Sequence, residues 1–215
     1  MIRATLSRIV IFTYCICTAL LLSCSDDAPK LSAVKAFVML DFQTATSAPT
    51  AKLAVFVGAD SDIRRAQSIK VASEGSGYEW RAENPVRFTG NDSQWTGFTD
   101  FVCPQNALPP AGSYSVFYTD ARDRQEQADF IIHYPESITH IQAADAEAFS
   151  VGERTDYLAV YDKNNALIFW GADSFFGERD AIFSMYHDAA YYRKCFELTR
   201  ATVLCLLPPV TRDHN

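Results

Sequence analysis

The sequence predicts a mainly β protein: an antiparallel β-sandwich followed by a smaller β-rich unit with one candidate helix. Short segments rich in β-branched and aromatic residues recur along the chain, and clusters of Gly, Pro, Asn or Asp separate them. Repeated short strands with turn signals between them are typical of a sandwich. A Pro-containing segment, residues 133–137, separates the two predicted units, which are residues 33–134 and 138–210.

The N-terminus has the parts of an export signal. Arg3 and Arg8 provide positive charge, and residues 9–22 form an apolar run that is too short for an ordinary membrane span. The run ends with the four residues Leu21-Leu22-Ser23-Cys24. This ending resembles the lipobox of bacterial lipoproteins. The resemblance implies that residues 1–23 are removed and that Cys24 carries a thioether-linked lipid. It also implies that the new amino terminus is acylated, for example with palmitate. The alternative is an uncleaved apolar helix with a chance cysteine.

The residues after Cys24 bear on localisation. In lipoproteins of bacteria with two membranes, an Asp directly after the lipidated Cys favours retention at the inner membrane, and here Ser25 takes that place. The resemblance therefore favours the outer membrane and leaves open whether the body faces the periplasm or the surface. Several acyl chains would hold the protein firmly, and the short polar segment 24–32 would be the tether.

Charge excludes one class of partner. The chain has 19 basic and 26 acidic residues. The two arginines before Cys24 would leave with the signal peptide, so the mature chain would have 17 basic residues and a net charge of −9. Such a balance argues against nucleic acid and against a basic membrane-binding surface.

Three cysteines fall in the predicted body, namely Cys103, Cys195 and Cys205. If residues 194–198 and 202–206 form a hairpin centred on Arg200, Cys195 and Cys205 face each other at about disulfide distance. The other interpretation is that both are buried thiols that pack as small apolar side chains. The sequence leaves the two open, and it has no CxxC motif for zinc or redox chemistry.

The most informative part of the body is a predicted hairpin. Residues 108–112 form a Pro/Gly turn, the next strand contains Gly112-x-Tyr114-x-Val116, a polar tip spans 121–125, and the chain returns over 128–132. This pattern resembles the last two strands of immunoglobulin-like modules in bacterial surface proteins, which implies an Ig-like or fibronectin-like sandwich. The Gly that is usual in the tip is absent, and this leaves the turn type open.

The second unit contains a clear hairpin and an ambiguous segment. Residues 157–161 and 166–170 flank Asp162-Lys163-Asn164-Asn165, a strong turn sequence. Apolar residues recur at helical spacing in 178–196, which slightly favours an amphipathic helix there. The alternative is two strands separated by residues 187–189. The helix and the Cys195–Cys205 hairpin exclude each other.

No motif for catalysis, metal binding or a cofactor is evident. The four histidines, His133, His140, His187 and His214, lack the spacing of metal ligands. No GxSxG nucleophile motif and no phosphate-binding glycine loop occurs. Asp60-Ser61-Asp62 lacks the third acid and the glycine of the known calcium loop. The sequence therefore predicts no metal, no cofactor and a protein that is not an enzyme.

Aromatic residues are dense in the second unit. Most of them are expected to fill the core. Tyr191 and Tyr192 cannot both face one core because they are adjacent, so at least one is expected to be partly exposed. With Trp170 they form the predicted binding surface.

Three classes of function remain open, one of which is a purely structural spacer with neither an exposed aromatic patch nor a pocket. The favoured one is a lipid-anchored envelope protein that presents a non-enzymatic binding or scaffolding surface to another envelope protein or a host protein. The alternative is a periplasmic small-ligand binder or hydrolase whose site would lie in the second unit, for example at His187 and Asp188 near Asp173.

Overall fold

The computed structural model describes residues 30–59, 65–90, 93–148, 154–172, 179–198 and 200–212. The predicted signal peptide, Cys24 and the tether up to residue 29 lie outside these residues, as do Asp60-Ser61-Asp62, Asp173 and His214. Strands make up 59 % of the structure and helices 12 %, which confirms the mainly β class.

Residues 31–132 form a two-sheet sandwich. Its strands are β1 (Leu31–Asp41), β2 (Thr50–Ala59), β3 (Ala66–Ser73), β4 (Glu79–Glu83), β5 (Val86–Gly90), β6 (Ser93–Phe101), β7 (Gly112–Asp120) and β8 (Gln125–Ile132). One sheet contains the order β1-β2-β6-β5 and the other the order β4-β3-β7-β8. If β1 to β8 are lettered A, B, C, C′, D, E, F and G in chain order, these are the A-B-E-D and C′-C-F-G sheets of Ig-like sandwiches. The predicted Ig-like fold is confirmed.

The motif that suggested the fold has a specific role in it. Tyr114, near the start of β7, is completely buried, and its hydroxyl donates a 2.7 Å hydrogen bond to the Pro110 carbonyl oxygen. A buried tyrosine that bonds to the backbone a few residues upstream is the tyrosine corner of this fold. At the far end of the β7–β8 hairpin, Asp123 adopts a φ of 59°. This residue takes the left-handed conformation that the missing glycine would otherwise provide.

The C-terminal part extends one of the two sheets. Its elements are a 3-10 turn (Glu136–His140), α1 (Ala143–Ala148), β9 (Arg154–Asp162), β10 (Leu167–Ala172), α2 (Arg179–Met185), β11 (Ala189–Leu198), β12 (Val203–Leu206) and β13 (Val210–Thr211). Another 3-10 turn, Pro104–Asn106, joins β6 to β7 in the sandwich. β12 pairs in parallel with β1, so the sheet runs β10-β9-β11-β12-β1-β2-β6-β5, and β13 pairs with β11. The parts on either side of residues 133–137 thus share a sheet, while the predicted domain boundary itself stays a prediction.

This long sheet has an inner and an outer face. The inner face contains Val38, Leu40, Phe196 and Cys205, which join the sandwich core. Further along the same face, α2 packs on the sheet through a second cluster of buried side chains: Leu158, Val160, Ile182, Phe183, Ala189 and Tyr192. The outer face is the opposite face of the sheet, and no other described strand packs against it.

The predicted long helix over 178–196 is wrong in extent. α2 stops at Met185, His187 and Asp188 form a turn, and β11 begins at Ala189. The helical spacing is real only for the first turns. Beyond them, β11 pairs with β9 over nearly its whole length, and this tertiary pairing outweighs the weak helical preference of its aromatic residues. The alternative of two strands is also wrong, because the first of the two segments is helical.

The predicted register of the cysteine hairpin is wrong by one residue. Cys195 lies opposite Leu206, and Cys205 lies opposite Phe196. Because side chains alternate along a strand, this shift places Cys195 on the outer face and Cys205 on the inner face. Both are buried thiols and not a disulfide, and burial raises the pKa of Cys205 to about 12.

Candidate binding surface

Four aromatic side chains of β9, β10 and β11 share the outer face of the long sheet. In the strand register, Tyr161 lies opposite Tyr191, and Tyr157 is two residues from Ala159, which lies opposite Trp170. Opposed residues in antiparallel strands, and residues two apart on one strand, project from the same face. Tyr157, Tyr161, Trp170 and Tyr191 therefore form one surface, which we call the aromatic patch.

The rings of the patch are stacked in two pairs. The ring centres of Tyr157 and Trp170 are 5.0 Å apart with an interplanar angle of 23°, and those of Tyr161 and Tyr191 are 4.9 Å apart at 13°. The Tyr191 hydroxyl also donates a 3.2 Å hydrogen bond to Asn165 Oδ1 in the β9–β10 turn. These contacts fix the rings before any partner arrives, so binding would cost little side-chain entropy. Trp170 is 42 % exposed.

The patch is uncharged at neutral pH. Burial raises the pKa of Tyr161 to about 12. Burial also raises the pKa of Tyr157, with a further contribution from the negative charge of Glu197, and burial raises the pKa of Tyr191. All three phenols thus stay protonated and can donate or accept a hydrogen bond at the rim of an apolar surface.

The prediction for Tyr192 is wrong, whereas Trp170 and Tyr191 do lie at the surface. Tyr192 is only 6 % exposed and packs against Phe183 of α2, with ring centres 5.7 Å apart. Its neighbour in sequence faces the other way because side chains alternate on β11. Sequence reasoning missed Tyr157 and Tyr161 as surface residues, although their period-2 spacing in a predicted strand was a usable signal.

A buried arginine holds the patch strands to the sandwich. Arg193 of β11 is 8 % exposed, and its Nη2 donates to Asp41 Oδ1 at 2.6 Å and to the Phe42 carbonyl at 2.8 Å. It also donates to the carbonyls of Leu206 and Leu207, at 3.0 and 2.7 Å. One side chain thus joins β11 to β12 and to the end of β1.

Of the residues named for the alternative function, the structure describes His187 and Asp188, whereas Asp173 lies outside the described residues. His187 and Asp188 are exposed in the turn after α2. Within the described ranges, no group of three or more His, Cys, Asp or Glu side chains could hold a metal ion. An open pocket of about 450 Å³ lies in the sandwich instead, between the β3–β4 turn at Ser73–Ser76 and the approach to β7 at Pro110–Ser113.

No protein-family model matches the chain, and no curated protein matches it. In the part of the chain that the structure describes, no helix has the length and apolar character needed to cross a membrane.

Proposed function

We propose that this protein is a lipid-anchored envelope protein that presents the aromatic patch as a binding surface for a partner protein. The observation that supports the proposal is the patch itself: aromatic rings, pre-ordered by mutual stacking, lie on a sheet face that no other described strand or helix covers. Tyr and Trp are the residues most enriched at the centres of protein interfaces, because they bury large area at low entropic cost.

The predicted anchor and the charge are consistent with this role. Acyl chains on Cys24 would keep the patch close to one membrane, which raises the effective concentration for partners on that membrane. The net charge of −9 predicted for the mature chain keeps the body away from anionic lipid and nucleic acid. The patch contains no charged side chain. Electrostatic repulsion between this acidic protein and an acidic partner is therefore weakest at the patch.

A photoreactive amino acid in the patch tests the proposal. We expect the full chain with a photoreactive phenylalanine analogue at Tyr191 to form one discrete adduct in intact cells, heavier than the chain by the mass of a partner protein. Tyr191 lies on β11, two strands inward from the edge of the sheet, so contact at that edge does not reach it.

Two controls make this result specific. The same analogue at Gln127, which is exposed on β8 of the other sheet, is expected to give no such adduct. Replacement of Trp170 by Ser is expected to reduce the Tyr191 adduct at least about fivefold, as loss of about 1 kcal/mol of contact energy would. Equal adducts from both positions would contradict a specific surface.

A further inference from the structure

A second apolar surface lies on the outer face of the long sheet, within the sandwich. Two neighbouring rows of the strand register cross β1, β2, β6 and β5. One row consists of Ala33, Gly58, Trp95 and Phe88, and the other of Lys35, Phe56, Gly97 and Val86. Val55 and Val57 of β2 belong to the sandwich core, so alternation along the strand directs both rows outwards. The five largest side chains of these rows form what we call the tether-side surface: Lys35, Phe56, Val86, Phe88 and Trp95.

Two glycines let the aromatic rings of this surface lie across neighbouring strands. A Cβ atom on Gly97 would lie 2.5 Å from Phe56 Cδ1, so the Phe56 ring fills the space that a side chain would need. The ring meets Phe88, with centres 5.3 Å apart and an interplanar angle of 76°. Trp95 reaches over Gly58 in a similar way, and Lys35 Nζ lies 5.1 Å from the centre of the indole ring. The rings are thus held in place by one another.

The tether-side surface is exposed and apolar. Val86 is 51 % exposed and Phe88 is 47 % exposed. Lys35 is the one charged member of the two rows. Exposed apolar patches mark sites of contact with proteins or membranes, and the position of this patch relative to the predicted anchor distinguishes between them.

The predicted tether ends beside this surface. Lys30, the first described residue, follows Cys24 by only six residues, and a chain of that length spans at most about 22 Å. Ala33 begins the first row three residues later. The aromatic patch lies near the opposite end of β1, where Arg193 of β11 bonds to Asp41. The strand from Ala33 to Asp41 spans about 26 Å, so a lipid on Cys24 would keep the tether-side surface nearer to the membrane than the patch.

We propose that the tether-side surface lies against the lipid bilayer to which Cys24 is anchored; this inference depends on the lipid anchor of the proposed function. Val86 and Phe88 enter the headgroup region, Trp95 lies at its boundary, and Lys35 extends its ammonium group to lipid phosphates. The anchor brings the body to the membrane, so no basic surface is needed for this contact. The net negative charge of the rest of the body opposes other orientations on anionic lipid.

This orientation leaves the aromatic patch free to meet its partner. Five strand-to-strand steps separate β6 from β9 in the long sheet. Each step twists the sheet by about 20–25°, so the patch is turned by roughly 100° from the tether-side surface. Contact of one surface with the bilayer therefore does not press the other against it.

Fluorescence quenching of the lipidated full chain in vesicles tests this proposal. The vesicles consist of phosphatidylethanolamine and phosphatidylglycerol and contain a lipid with a nitroxide quencher near its headgroup. A dye on Val86→Cys is expected to be quenched at least about threefold more strongly than the same dye on Gln127→Cys of β8, because only Val86 lies at headgroup level. Labelling is specific because Cys103, Cys195 and Cys205 are buried.

Two further variants identify the contact as one with lipid. Adding Phe88→Glu to Val86→Cys charges an exposed site and is expected to remove most of the difference from Gln127→Cys. Adding Lys35→Glu leaves the apolar side chains in place and is expected to reduce quenching at least about twofold in these vesicles, but not in vesicles of phosphatidylcholine alone.

Three results would overturn the proposal. They are equal quenching at Val86 and Gln127, quenching at Val86 that survives Phe88→Glu, and a discrete protein adduct in cells from a photoreactive analogue at Phe88, which would assign the surface to a protein. The vesicles contain no partner protein, so this test is independent of the Tyr191 adduct. A quenching difference without a Tyr191 adduct would support the membrane contact and contradict the proposed partner, whereas the adduct without the difference would do the reverse.

Discussion

Replacing Arg193 with Ala is expected to lower the free energy of unfolding by about 3–5 kcal/mol, the cost of breaking a buried ion pair from one side. The guanidinium makes four hydrogen bonds at 2.6–3.0 Å. Its removal leaves the Asp41 carboxylate and three carbonyl oxygens without this donor at the junction of β11, β12 and β1. Urea denaturation followed by tryptophan fluorescence measures the loss.

An exposed ion pair provides the control. Arg81 and Glu83 are 2.6 Å apart, and their side chains are more than half exposed. Arg81→Ala is expected to cost at most about 1 kcal/mol, since exposed pairs contribute little. A loss for Arg193→Ala as small as that for Arg81→Ala would show that the junction does not depend on this side chain.

Replacing Asp120 with Ala is expected to lower the free energy of unfolding by about 1.5–3 kcal/mol, the range for hydrogen bonds to a charged group. Asp120 is 1 % exposed at the end of β7. It accepts hydrogen bonds from the backbone amides of Arg122 and Arg124, at 2.9 and 3.0 Å, and from the Arg124 guanidinium at 2.8 Å. This carboxylate therefore organises the hairpin tip that lacks a glycine.

The same carboxylate gives a pH dependence. Burial alone would raise the pKa of Asp120, but the hydrogen bonds from Arg124 and from the two amides outweigh it and lower this pKa. As pH falls, the unfolded chain takes up the proton first, near pH 3.9. The stabilisation is thus complete above that pH and is lost as pH falls through the lower folded pKa.

Urea denaturation at neutral pH and at several values below pH 4 checks this dependence. The stability difference between wild type and Asp120→Ala is expected to shrink on acidification. Asp162→Ala, in the more exposed β9–β10 turn, is expected to cost less at neutral pH, because among the described residues no arginine side chain adds to its bonds with the amides of Asn164 and Ala166. A difference that stays constant down to the lowest pH would contradict the role given to the Asp120 charge.

Local patterns predicted the sandwich well, because its strands are short-range features. The Gly112-x-Tyr114-x-Val116 motif occurs in the strand that it predicted, and the structure shows that Tyr114 forms a tyrosine corner there. Likewise the Asp162–Asn165 turn joins β9 to β10. Alternation and turn chemistry are encoded within a few residues, so one sequence is enough to detect them.

Long-range pairing was not predictable in the same way. Nothing near Val203 in the sequence indicates that it pairs in parallel with Val38, and nothing in residues 178–198 shows where helix gives way to strand. The shift that separated Cys195 from Cys205 is a single residue, and register depends on contacts with the whole sheet. For the same reason, the burial of Tyr192 and the exposure of Tyr191 became definite only in the structure.

The measurement that tests the central claim most directly is metabolic labelling of cells with radioactive palmitate, comparing wild type with Cys24→Ser. The proposal of a lipid-anchored envelope protein predicts label on the wild-type protein and none on the variant. Protease treatment of the same intact cells then assigns the body to the surface if it is digested, or to the periplasm if it is protected. Absence of label from the wild type would contradict the anchor and remove the argument that the aromatic patch acts at a membrane.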